Sequence, residues 1–228
     1  SAAAASLYAA RESLGIVGRA YLALALGTSD PSDSRLLALL RELYWNAAIT
    51  YRHRRYADFL GRVYRFQEAV LRYLVEEIFG LPTDLSPEVR ETNLRRWKEI
   101  IKSNPHLLRF LKGRKVGDQP LNWQQIARPT YKALMSYATD EAEGLDSHGR
   151  SLISDGRRKY YDALMDRVNA FDRLVELRHR TIIGHDFEGV SEAQLLKNYK
   201  GRVKSDGQRR TPVEGLEKIL TMLHADLS

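Results

Sequence analysis

Residues 161–175 read Tyr161-Asp-Ala-Leu-Met-Asp-Arg-Val-Asn-Ala-Phe-Asp-Arg-Leu-Val175, and in them Tyr161, Leu164, Val168, Phe171 and Val175 recur at steps of three and four. That is the period of one face of an α-helix, not the two-residue alternation of a half-buried strand. Counted onward, the same stripe reaches Arg178, Ile182 and His185. The chain upstream reads the same way. Helices are predicted at about 6–27, 34–52 and 56–79, the last on Phe59, Val63, Phe66, Val70, Tyr73 and Leu74, and stopped by Gly80-Leu-Pro82. Ser86-Pro87-Glu88 places an N-cap serine before a first-turn proline and opens the next helix, which Asn104-Pro105 breaks. Shorter helices follow at about 106–112 and 129–139. Downstream, Ser191-Glu-Ala-Gln194 and Thr211-Pro-Val-Glu214 are capping boxes that open the last two helices. Val, Ile and Thr alternation is scarce, and Asn-Gly or Asp-Gly hairpin turns are almost absent. The expectation is an all-α fold: one domain over 1–228, a bundle of four or five longer helices with a helical insertion at about 86–156, and residues 1–6 as a linker.

The 228 residues suffice for a sizeable core, and 43% of them are hydrophobic, which excludes a long disordered chain. There are no cysteines, hence no disulfide, zinc–thiolate site or cysteine nucleophile; a cytoplasmic location is expected. No run approaches the roughly 20 apolar residues that cross a bilayer, so no membrane role is expected. Thirty-six Lys and Arg against 29 Asp and Glu give a net charge of +7, which favours polyanions.

No glycine-rich phosphate loop follows a strand: Gly15 and Gly18 lie inside a helical pattern. The six histidines are scattered, and the closest two, His179 and His185, fall about 120° apart around a helix. No metal centre and no cofactor are expected. The anomaly is Leu177-Arg-His-Arg-Thr-Ile-Ile-Gly-His-Asp-Phe-Glu-Gly189, which sets an arginine on an otherwise apolar stripe. A buried charge is costly unless paired. Seven residues bring Arg178 and His185 to within about 20° of one helix face. Arg180 joins them where Gly184 breaks the helix. An Arg and a His together suit cleavage of RNA by its own 2′-hydroxyl: the imidazole moves or orients a proton near neutral pH, and the guanidinium stabilises charge on the phosphate. The spacing alone is common, since Arg173 precedes His179 at a like interval.

The wider string, residues 177–192, resembles the C-terminal motif of HEPN ribonucleases, most closely those of type III CRISPR accessory nucleases, which join a sensor (CARF) domain for cyclic oligoadenylate to a HEPN domain. A second stretch, Arg55-Tyr-Ala-Asp-Phe-Leu-Gly-Arg-Val-Tyr-Arg-Phe-Gln-Glu-Ala69, is similar to the helix that carries Tyr-Arg and an acidic residue in that group. The resemblance implies a HEPN-like helical bundle with antiviral defence as its setting. It implies a homodimer in which Arg-x(4–6)-His motifs of two chains face each other, and metal-independent cleavage of single-stranded RNA. On this sequence the catalytic residues implied are Arg178 or Arg180 with His185. His179, Thr181, Lys200, Arg202 and Lys204 are candidates for substrate contact, and Tyr64, Arg65 and Glu68 for support of the site. The motif arginine is often followed by Asn or Asp in the family; here His179 or Thr181 stands there. The resemblance also implies a CARF-type sensor domain in the full-length protein, absent from this chain. The alternatives are a catalytically silent helical module that dimerises or binds nucleic acid, and a HEPN toxin held by an antitoxin.

Overall fold

Helix α1 (Arg35–Arg52) and helix α2 (Tyr56–Phe79) follow one another through a three-residue turn in the computed structural model, which describes residues 35–140, 144–179, 189–201 and 210–227. The chain continues through α3 (Arg90–Ser103), α4 (Pro105–Gly113), β1 (Lys115–Val116), β2 (Gln119–Pro120), α5 (Arg128–Thr139), α6 (Asp155–Asn169), α7 (Asp172–His179), α8 (Glu192–Asn198) and α9 (Pro212–Leu227). The architecture is all-α. Among the described residues, the one sheet is the exposed antiparallel pair β1–β2, turned by Gly117 at φ 59°. The helix predicted at about 6–27 lies outside the described residues.

The turn after α1 has a specific form. The Arg55 N–H donates to the Thr50 carbonyl at 2.9 Å and the Arg54 N–H to the Tyr51 carbonyl at 3.0 Å. These two bonds form a Schellman motif, whose left-handed position usually holds glycine. Here Arg54 occupies it, at φ 58°. A side chain in that conformation costs about 1–2 kcal/mol.

The fold divides into two compact units, Ser1–Gln67 with Arg167–Ser228, and Glu68–Asp166. In the first, α9 packs along α1, and α8 against α7. Its core includes Leu40, Tyr44, Phe59, Val63, Phe66, Phe171, Leu174, Val175 and Leu216. Burial pushes the Tyr44 hydroxyl above its usual pKa, with the Glu217 charge on α9 adding to it. In the second unit, α4 packs on α3 and on α5. Trp97 is fully buried, donates from Nε1 to the Trp123 carbonyl at 3.0 Å, and meets Tyr131 edge-on.

Several local readings hold. Asn104 ends α3, and its side chain accepts from the Leu107 N–H at 3.1 Å, so it caps α4 with Pro105 at the first position. Both arms of the Ser191–Gln194 box are present. The Thr211–Glu214 box is closed as well, by Thr211 N–H to Glu214 Oε2 at 2.6 Å and Glu214 N–H to Thr211 Oγ1 at 3.3 Å.

Two readings are corrected. Ser86 does not cap by its side chain. Its carbonyl accepts from the Val89 and Arg90 N–H groups, and this turn delivers the chain into α3 at Arg90. More consequential, the 161–185 stripe is not one helix. Tyr161, Leu164, Val168, Phe171 and Val175 are all buried as their spacing requires, but α6 ends at Asn169 and α7 begins at Asp172. The carbonyls of the break take donors from outside it, beside the Phe171 N–H that reaches the Val168 carbonyl at 3.2 Å. Gln67 Nε2 donates to the Val168 carbonyl at 2.7 Å and to Asp172 Oδ1 at 2.9 Å, while the Lys200 N–H donates to the Ala170 carbonyl at 3.2 Å. Steady counting at about 100° per residue from Tyr161 therefore does not carry the stripe to Arg178.

Candidate functional site

The two stretches that carry the family resemblance meet inside the first unit. Residues 56–67 of the first lie on α2, and the second begins on the last turn of α7. One contact between them is Arg178 over Tyr64: the guanidinium carbon lies 4.5 Å from the ring centroid. At that distance the negative face of the ring attracts the cation, an interaction of about 0.5–2 kcal/mol depending on desolvation. Both residues are half-buried. Arg65, exposed beside them, sets its own guanidinium 5.8 Å from the same centroid.

The helix that carries Arg178 is fixed by a residue that the sequence did not single out. Gln67, 2% exposed, spends both amide donors on the α6–α7 break, at Val168 and Asp172. Asp172 stands in the first turn of α7, where a carboxylate suits the helix dipole. The available signal was one polar residue between Phe66 and Val70 on the apolar side of a helix. On α2, one turn after Tyr64, Glu68 is half-buried. His179 closes α7 by its backbone. Lys200 is exposed after α8, anchored through its N–H to Ala170. Arg180, Thr181 and His185, and with them Arg202 and Lys204, lie outside the described residues.

A second cluster flanks the α1–α2 turn. The Tyr51 hydroxyl donates to Glu192 Oε1 at 2.9 Å and so ties the start of α8 to the end of α1. The Tyr51 ring stands edge-on to Tyr56 and Phe59. Burial first, then this bond to a carboxylate, pushes the Tyr51 hydroxyl far above its usual pKa, so it stays a neutral donor. Tyr199, tilted against Phe171 with 4.9 Å between centroids, is pushed up to about 12 by burial, which outweighs the opposing charges of Arg167 and Arg210.

Among the described residues no three of His, Asp and Glu gather as a metal-binding group, and no helix is long and apolar enough to cross a membrane. Compared with family models, with curated proteins and with solved structures, the chain has no match.

Proposed function

We propose that this chain is a metal-independent endoribonuclease of HEPN type that cleaves single-stranded RNA. The observation that carries the reading is the contact of Arg178 with Tyr64, which joins in one place the two stretches of sequence that resemble that family. In the proposed reaction the ribose 2′-oxygen attacks the adjacent phosphorus and gives up its proton, and the bond from phosphorus to the 5′-oxygen breaks. The leaving oxygen takes up a proton, which yields a 2′,3′-cyclic phosphate and a 5′-hydroxyl. His185 moves or orients the proton, and Arg178 or Arg180 stabilises the charge on the pentacovalent phosphate. Tyr64 positions Arg178.

Each chain brings the Arg178/Arg180–His185 set once, and the composite site takes its second copy from a homodimer, in which a two-fold axis repeats one patch. The family resemblance further assigns the chain as the effector half of a nuclease switched by a cyclic-oligoadenylate sensor domain, with antiviral defence as its role. The test is cleavage of single-stranded RNA in EDTA, with end-group analysis of the products. Cleavage that requires magnesium contradicts the reading. Binding without cleavage favours a silent nucleic-acid-binding module.

A further inference from the structure

The turn between α1 and α2 holds four consecutive exposed cationic or ionisable side chains, Arg52, His53, Arg54 and Arg55. Arg55 pairs with Asp58 one turn into α2. Among the described residues Arg52, His53 and Arg54 form no ion pair. The carboxylate tied to this end of α1, Glu192, is held by the Tyr51 hydroxyl.

Arg54 is the informative residue. It is the one non-glycine residue at positive φ among the described residues, and it sits where the Schellman motif favours glycine. A cation after a helix C-terminus is ordinarily explained by the dipole, but Arg52 in the last turn of α1 already fills that role. Arg54 thus carries a conformational cost with no salt bridge in return. A side chain kept under such strain at an exposed turn points to a ligand outside the chain.

The chemistry of the turn selects the ligand. Charge that is exposed and unneutralised suits phosphates spaced along a flexible strand, which respond to each cation through counterion release. Residues 51–56 are Tyr, Arg, His, Arg, Arg and Tyr, with no aliphatic or tryptophan wedge of the kind that inserts into lipid. The rings of Tyr51 and Tyr56, which flank the four residues in sequence, are packed edge-on to each other. We infer that the turn between α1 and α2, Arg52 to Arg55, docks the phosphate backbone of single-stranded RNA and holds substrate apart from the cleavage chemistry. The choice of RNA rests on the proposed ribonuclease reading.

The experiment titrates the full chain into a fluorescein-labelled 2′-O-methyl oligouridylate, which keeps every phosphate but has no free 2′-hydroxyl to react. Anisotropy is read over a series of salt concentrations, with thermal melting alongside. Arg54→Gly is expected to raise Tm, because glycine relieves the strained position, and to weaken binding several-fold. The slope of log K against log salt should shrink by about 0.7 for this one lost contact, and by about twice that for Arg52→Ala with Arg54→Gly. Arg54→Lys should keep both the slope and the Tm. Unchanged affinity and slope in Arg54→Gly would overturn the inference. So would a wild-type chain that ignores the oligonucleotide and binds phosphatidylserine vesicles, an outcome that assigns the turn to a membrane. Turn-dependent RNA binding by a chain that never cleaves RNA leaves the docking site standing and removes the nuclease reading alone.

Discussion

At the scale of single residues, two side chains on α2 govern what α7 presents. Tyr64 offers its ring to the Arg178 guanidinium, and Gln67 holds the helix start. Removing a charge-stabilising donor costs about 10² to 10³ in rate. Of Arg178→Ala and Arg180→Ala, one is therefore expected to lose that much cleavage and the other less than about tenfold. If Arg178 is the one, Tyr64→Leu lowers kcat as well, while Tyr64→Phe, which keeps the ring, stays near wild type; steady-state kinetics on labelled RNA read the difference. Arg173→Ala, exposed on α7, should be silent. Gln67→Ala removes one buried amide that donates to the Val168 carbonyl and to Asp172 Oδ1 and should cost about 1–2 kcal/mol in urea unfolding. A variant as stable as wild type would show that the break between α6 and α7 does not depend on Gln67.

At the scale of elements, helix existence was written plainly in the sequence and helix continuity was not. The spans 34–52 and 56–79 are seen as Arg35–Arg52 and Tyr56–Phe79, because an apolar stripe, a breaker and a cap each act within a few residues. The break at 170–171 is bonded by Gln67 and Lys200, which are distant in sequence, and no local pattern announces it. The same limit applies to the site. The residue types of Arg178 and Tyr64 were legible, but their meeting is a tertiary fact, and the phase that links Arg178 to His185 falls on residues outside those described. Gly215, on α9, is a further instance of tertiary control. A Cβ there would collide with the Tyr199 hydroxyl and lie 3.0 Å from Cζ of Phe171. Gly215→Ala, which raises helix propensity in isolation, should instead destabilise by about 1–3 kcal/mol through overpacking. A thermal melt that shows stabilisation would mean that Tyr199 moves freely aside.

At the scale of the molecule, an all-α chain with a net charge of +7 brings the proposed Arg178/Arg180–His185 set once, and the composite site that the resemblance implies needs it twice. Light scattering at tens of micromolar should report a dimer; a monomer at that concentration is incompatible with the composite site. The central claim is the chemistry itself. The measurement that tests it most directly is cleavage of single-stranded RNA in EDTA by purified wild-type chain and by His185→Ala. Loss of a proton-transfer group costs about 10² to 10⁴ in rate. The expected result is cleavage by the wild type, with 2′,3′-cyclic phosphate ends, and near-complete loss in His185→Ala while helicity and dimer are retained. Full activity in His185→Ala, or no cleavage by the wild type without added magnesium, would contradict it.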